Sequence, residues 1–314
     1  DESSGAQEYS PAWSPDGRSI AFTTWSDDDG GALWTVGASG GAPTRLTTLD
    51  GMYLNPTWSP DGGSIVVARG SGEMLRGRLP SDEPWFMLES VPSGGGATTP
   101  LVEVLAGRGS HVVAPKFGPD GRIFFVESGT GFRSIQPDGT DARTHAVIEA
   151  SDEASPSPDG RWIGFSRGDN MHLTPMTWPG AGGDPVEISV ESPALPVTRL
   201  SWEGGNFPNW SGPDVLEWGS ANAYFRHNVT AGTTDTVEIR LEVPRRMAQG
   251  VIALTGARLV TMNGDEVIER GDIVMSDGRI VELGPSGSVS IPWMNWKALN
   301  GLIAVPISRS DVTR

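Results

Sequence analysis

Four copies of one phrase organise the chain: Trp13-Ser14-Pro15-Asp16-Gly17, Trp58-Ser59-Pro60-Asp61-Gly62, Phe117-Gly118-Pro119-Asp120-Gly121 and Pro156-Ser157-Pro158-Asp159-Gly160. A short apolar burst comes after each copy: Ile20-Ala21-Phe22, Ile65-Val66-Val67, Ile123-Phe124-Phe125-Val126 and Ile163-Gly164-Phe165. A degraded fifth copy, Pro208-Asn209-Trp210-Ser211-Gly212-Pro213-Asp214, leads into Val215-Leu216-Glu217-Trp218. Proline presets φ for the second position of a turn, Asp bonds its own backbone, and Gly takes positive φ. An aromatic residue before such a turn and a β-branched or aromatic run after it make a hairpin with a buried face. The phrase Asp residues stand 45, 59, 39 and 55 apart, room for about four short strands plus loops, the content of one propeller blade. No stretch shows a sustained 3.6-residue apolar period.

The expected fold is therefore all-β, a β-propeller with five recognisable blades near 7–52, 53–110, 111–150, 151–200 and 201–245. In the first blade the strands are expected at 9–13, 19–24, 32–36 and 44–47, and His172-Leu173-Thr174-Pro175-Met176 is expected as the third strand of the fourth. A sixth blade is expected from the residues beyond 245, because an open five-blade arc exposes sheet edges and apolar faces. After about residue 246 the pattern changes to longer alternating strands with turns at Asn263-Gly264-Asp265 and Ser276-Asp277-Gly278, a small meander. The expected division is 1–245 for the propeller and 246–314 for this second element, either a separate sandwich fragment or the missing blade.

Composition agrees with a turn-dense β protein. Forty-two Gly and 25 Pro in 314 residues exceed average usage. Twelve Trp against three Tyr is unusual, and because three of them sit in the phrase the excess is expected to be core between blades. Absence of Cys excludes disulfides and thiolate chemistry. A net charge of −16 argues against nucleic acid and anionic membranes as partners, and no apolar run is long enough to span a bilayer.

The aromatic-Ser-Pro-Asp-Gly repeats resemble TolB-like propeller repeats. The residues Gly256-Ala257-Arg258-Leu259-Val260-Thr261-Met262, Val267-Ile268, Gly271-Asp272-Ile273 and Gly278-Arg279-Ile280 resemble the N-terminal β-sandwich strands of the amidohydrolase superfamily. Together the chain is similar to part of a TolB-like propeller fused to an amidohydrolase, a resemblance that implies a bacterial protein of the periplasm or exterior and hydrolysis of C–N, lactone or related bonds. In that superfamily the sandwich leads into a metal-dependent barrel through an Asp-x-His-x-His stretch. Here Asn300-Gly301-Leu302-Ile303-Ala304-Val305-Pro306 leads to no His pair, so the sequence is expected to be a truncation before the barrel, and the family's metal ligands have no positions here.

A propeller places its ligand site at the central channel. Aligning on the phrase puts Glu8, Tyr9, Tyr53, Asn55, His111, Asp152, Glu153, Glu203 and Asn206 near it. Converging carboxylates suit Ca²⁺ or an acid–base pair, so the candidate metal ligands are Glu8, Asp152, Glu153 and Glu203, with calcium as the cofactor type. The candidate catalytic residues are His111, as ligand or general base, Glu203 and Asp152. Each is weighed against a solvated loop residue on an acidic protein. His145 and His172 fall on outer and third strands, far from the axis. No serine lies in a nucleophile elbow, and Ser93-Gly94-Gly95-Gly96 lacks the Lys of a phosphate loop. Two functions remain: a hydrolase-related propeller with a channel-mouth site for a small molecule or divalent cation, or a non-catalytic propeller that binds a peptide or protein partner across its face.

Overall fold

The computed structural model describes residues 6–77, 84–107, 113–151, 153–179, 183–191, 194–242, 250–290 and 305–307, which divide into two compact units, 1–240 and 241–314.

The first unit is a run of five antiparallel blades. The first blade holds β1 (Gln7–Trp13), β2 (Ser19–Ser26), β3 (Gly30–Gly37) and β4 (Thr44–Arg45), paired in that order. The second holds β5 (Met52–Trp58), β6 (Ser64–Gly70), β7 (Trp85–Pro92) and β8 (Thr99–Leu105), with a one-turn helix α1 (Gly72–Leu75) between β6 and β7. The third holds β9 (Lys116–Phe117), β10 (Ile123–Glu127), β11 (Gly131–Ile135) and β12 (Arg143–Ile148). The fourth opens with β13 (Ala154–Pro156), β14 (Trp162–Arg167) and β15 (Asn170–Pro175). The chain then detours: β16 (Val186–Ile188) joins the third blade parallel to β12 before β17 (Thr198–Arg199) closes the fourth. The fifth blade is β18 (Asn206–Trp210), β19 (Val215–Ser220), β20 (Ala223–Asn228) and β21 (Thr233–Glu238). The strands read from the sequence in the first blade, and the third strand of the fourth, fall where expected. The parallel β16 was not expected, since its three residues carry no turn phrase.

Each phrase is the hairpin turn between the first two strands. Ser14 Oγ donates to Asp16 Oδ1 (2.7 Å) and accepts from the Ser19 amide (2.9 Å), while the Arg18 amide caps the same carboxylate (3.0 Å). Ser59 with Asp61, and Ser157 with Asp159, repeat the arrangement. The Ser hydroxyl and the amide hold the Asp16 and Asp61 carboxyls below the usual carboxylate range. The glycines close the turns at φ +68, +72, +69 and +69 for Gly17, Gly62, Gly121 and Gly160, which a side chain at those positions would disfavour. The third copy replaces Ser by Gly118 for a steric reason: a Cβ there would stand 2.6 Å from the Phe124 ring and 2.8 Å from Pro156.

Neighbouring blades stack face to face, and second-strand residues alternate between the two neighbours. Ile65 and Val67 pack with Ala21, Leu33 and Leu46 of the first blade. Val66 and Ala68 pack with Ile123, Phe125 and Ile135 of the third. Phe124 and Phe132 meet Ile163 and Phe165 of the fourth, and Met171 and Leu173 meet Leu216 and Trp218 of the fifth. Ile20 and Phe22 occupy in the first blade the positions of Ile65 and Val67 in the second, yet they are half-buried and, among the described residues, belong to no core cluster.

His145 is a core histidine in β12, 1% exposed, with Nε2 2.7 Å from Ser134 Oγ and its ring 5.1 Å from Phe124 and 5.3 Å from Trp178. Burial pushes its imidazole down to about 4, and Arg122 and Arg143 add to the shift.

The second unit is a sheet of β22 (Val251–Val260), β23 (Val267–Ser276), β24 (Arg279–Pro285) and β25 (Val305–Ile307), ordered β24-β23-β22-β25. Its small core is Ala253, Val274 and Val289. The buried Asp272 carboxylate accepts from the Gly256 amide (2.9 Å), the Gly287 amide (3.0 Å) and the Ser286 hydroxyl (2.8 Å). These bonds outweigh burial and hold its carboxyl low. Gly256 and Asp272 are thus joined at the irregularity in β22, where Gly256 has φ +69.

The packing is testable at two positions. Restoring the consensus serine by Gly118→Ser should destabilise the chain by about 1–3 kcal/mol through overpacking against Phe124, read by urea unfolding; a neutral or stabilising result contradicts the steric account. An unfolded His145 takes its proton near 6.5, the folded one near 4, so folding stability should fall as pH drops through that window, by at most roughly 3 kcal/mol. The loss should be smaller by that amount in His145→Gln, measured by unfolding at pH 7.5 and 4.

Candidate functional site

The innermost strands β1, β5, β9, β13 and β18 contribute together to one cavity of about 610 Å³. Its lining includes a second regularity, three residues upstream of Trp13, Trp58, Phe117, Pro156 and Trp210. Those positions are Ser10, Asn55, Ala114, Glu153 and Phe207, and all five line the cavity. Pro11, Pro56, Pro115 and Pro208 come next after four of them.

At three of these positions the strand bulges, with Ser10 at φ +48, Asn55 at φ +50 and Phe207 at φ +61, each inside a register irregularity with the second strand. Left-handed backbone is costly for a residue such as Phe, and it persists because neighbouring blades hold it. Ser10 Oγ donates to Asn55 Oδ1 (3.2 Å), and Asn55 Nδ2 donates to the Val113 carbonyl (3.1 Å). The Phe207 amide donates to Glu153 Oε2 (2.5 Å). The phrase tryptophans tie the same strands: Trp58 Nε1 donates to the Ala12 carbonyl (3.0 Å), and Trp210 Nε1 to the Ser155 carbonyl (3.1 Å).

Among the described residues that line this cavity, Lys116 and Glu153 carry opposite charges. Glu153 is 6% exposed and half-buried Lys116 lies within its electrostatic reach. Burial lowers the Lys116 ammonium below its ordinary range, and Glu153 opposes that shift. The rim is aromatic: Trp13 is 62% and Phe207 67% exposed, while Trp58, Phe117 and Trp210 are half-buried. Trp58 and Trp210 also pack against inter-blade cores, whereas Trp13 is a surface residue and departs from the expectation that the phrase tryptophans are core.

Of the residues singled out from sequence, Asn55 and Glu153 line this cavity. Glu8 lies exposed in β1 opposite Thr24. Glu203 is exposed in the turn before β18, its carbonyl accepting from Ser220 Oγ (2.7 Å), and Asn206 is exposed at the start of β18. Tyr9 and Tyr53 line a different cavity. His111 and Asp152 lie outside the described residues. Among the described residues no three His, Cys, Asp or Glu side chains gather as a metal site, and no helix is long and apolar enough to cross a membrane. Ser10, Lys116 and Phe207 were missed; the x-Pro step upstream of the phrase was the available signal for Ser10 and Phe207.

Comparison with known proteins places this geometry among its relatives. The family described as "Lipoprotein LpqB beta-propeller domain" matches residues 2–223. No curated protein sequence matches the chain. The crystal structure of TolB from Acinetobacter baumannii aligns over 74% of this chain and 54% of its own, at 15% identity and a TM-score of 0.51. The chain thus spans about half the length of that protein. A TolB candidate from Agrobacterium tumefaciens aligns over 73% of this chain and 80% of its own, at 19% identity and a TM-score of 0.48. A puromycin hydrolase mutant in complex with PGG aligns over 85% of this chain and 42% of its own, at 14% identity and a TM-score of 0.49.

The charge pairing makes a direct prediction. Glu153→Gln retains an acceptor for the Phe207 amide but removes the counter-charge, so the Lys116 ammonium should titrate lower than in wild type. Reductive ¹³C-methylation and NMR titration of Lys116 reads this; an unchanged midpoint would show that the two groups do not interact.

Proposed function

Because the chain belongs to the lipoprotein LpqB β-propeller domain family, we propose that its five-bladed unit is a binding module that receives an extended segment of a partner protein in the cavity at the ends of its inner strands. The observation that carries this reading is the composition of that cavity: exposed Trp13 and Phe207 at the rim, a proline-lined wall, and Lys116 and Glu153 as the charged groups among the described lining residues. Aromatic and proline surfaces bury an extended chain at low entropic cost, and a few polar groups set its orientation. The chain's net charge of −16 favours a basic partner by long-range attraction.

The hydrolytic reading needs His111 and Asp152 to converge with Glu153 and Glu203 on a cation such as calcium; of these, Glu153 lines the cavity. For residues 246–314 we propose kinship with the amidohydrolase N-terminal sandwich, supported by the Gly256–Asp272 link within its matching motif. A periplasmic or secreted setting suits a family described by a lipoprotein.

Selection of a random peptide display library on the full chain tests the binding reading. Basic segments with an aromatic anchor should be enriched, and Phe207→Ala should weaken them at least tenfold without changing the unfolding midpoint, since Phe207 is exposed. Failure to enrich any sequence, or binding indifferent to Phe207→Ala, counts against it. Hydrolysis of a substrate panel that a chelator and Glu153→Ala both abolish would favour the enzyme instead.

A further inference from the structure

A second cavity, of about 510 Å³, lies between the first and second blades and is lined by the opening residues of their inner strands. Tyr9, Trp25, Tyr53, Met52 and Leu75 form its apolar wall, and Gln7, Thr24, Ser26 and Asp27 its polar edge. Tyr53 (2% exposed) is anchored by donating to the Leu49 carbonyl (3.1 Å), while Tyr9 (39%) and Leu75 (46%) stand at the opening. The Trp25 ring is wedged in place: a Cβ on Gly72 would stand 3.1 Å from it and one on Gly31 3.3 Å. Its indole N–H donates to Asp27 Oδ1 (3.1 Å), which fixes that carboxylate beside the aromatic wall.

The charge on this cavity has one sign. Among its described lining residues Asp27 is the sole acidic residue, and Lys, Arg and His are absent. The Trp25 ring already carries one cation, the Arg76 guanidinium 5.0 Å from its centroid, and Arg76 is occupied by Asp50, Glu73 and the Asp27 carbonyl. Aromatic faces with an adjacent carboxylate recognise organic cations, and a volume of this size holds a small molecule.

We propose that this cavity is a binding site for a small organic ammonium with an aromatic body, its ring seated against Tyr9, Trp25 and Leu75 and its ammonium on Asp27. The site is separate from the cavity lined by Ser10, Asn55, Glu153 and Phe207 and does not depend on the partner-binding reading given to it.

Calorimetric titration of the full chain with phenethylammonium, neutral 2-phenylethanol and anionic phenylacetate tests this on the wild-type protein. Phenethylammonium should bind at least tenfold tighter than the alcohol, and phenylacetate weakest. Asp27→Asn keeps an oxygen acceptor for the indole N–H and should cut the amine-over-alcohol preference to threefold or less. Phe207→Ala should leave amine binding unchanged. Equal affinity for amine and alcohol overturns the proposal, as does absence of saturable binding by all three or a preference that survives Asp27→Asn.

Discussion

The first unit rests on the contact between the faces of adjacent blades. A four-stranded sheet has two faces, and side chains alternate between them, so a blade whose strands are apolar on both faces needs a neighbour on each side. Ile65 and Val67 turn back to the first blade while Val66 and Ala68 turn forward to the third. Gly164, between Ile163 and Phe165, leaves room for Leu216 of the fifth blade, whose methyl carbon would lie 2.6 Å from a Cβ there. The fifth blade's second strand then changes character, placing Glu217 where Val66 and Phe124 stand in earlier copies and pairing it with Arg226 (2.9 Å). Apolar patterning therefore ends at the fifth blade, but at the first it leaves Ile20 and Phe22 half-uncovered.

Stacking alone would leave the inner strands as featureless edges. The left-handed residues upstream of the phrase give them shape, turning Ser10, Asn55 and Phe207 toward a common cavity, with hydrogen bonds between blades holding that backbone. Glu153 does two things at once, accepting from the strained Phe207 amide and acting electrostatically on Lys116. A structural bond and the electrostatic influence on Lys116 therefore share one carboxylate, so the charge in the cavity and blade registration are coupled at this point.

Legibility in the sequence tracked the range of the interaction. The turn phrase is local, and Asp16, Asp61 and Asp159 are the turn residues the spacing implied. The blades it delimits are present, and Asn55 and Glu153 were reachable because they sit at a constant offset from the phrase. The Lys116–Glu153 pairing, the Arg76–Trp25 stack and the parallel addition of β16 to β12 join residues far apart in sequence, with no periodicity to announce them. Gly118 shows the same limit in reverse: its departure from serine looks like drift until the Phe124 ring is placed beside it.

The central claim, that neighbouring blades are what stabilise each blade, is tested most directly by comparing Phe22→Ala with Phe165→Ala in equilibrium unfolding. Phe165, fully buried against the third blade, should cost about 3–5 kcal/mol. Phe22, on the half-uncovered face of the first blade, should cost less than half of that. Equal losses at the two positions would contradict the account.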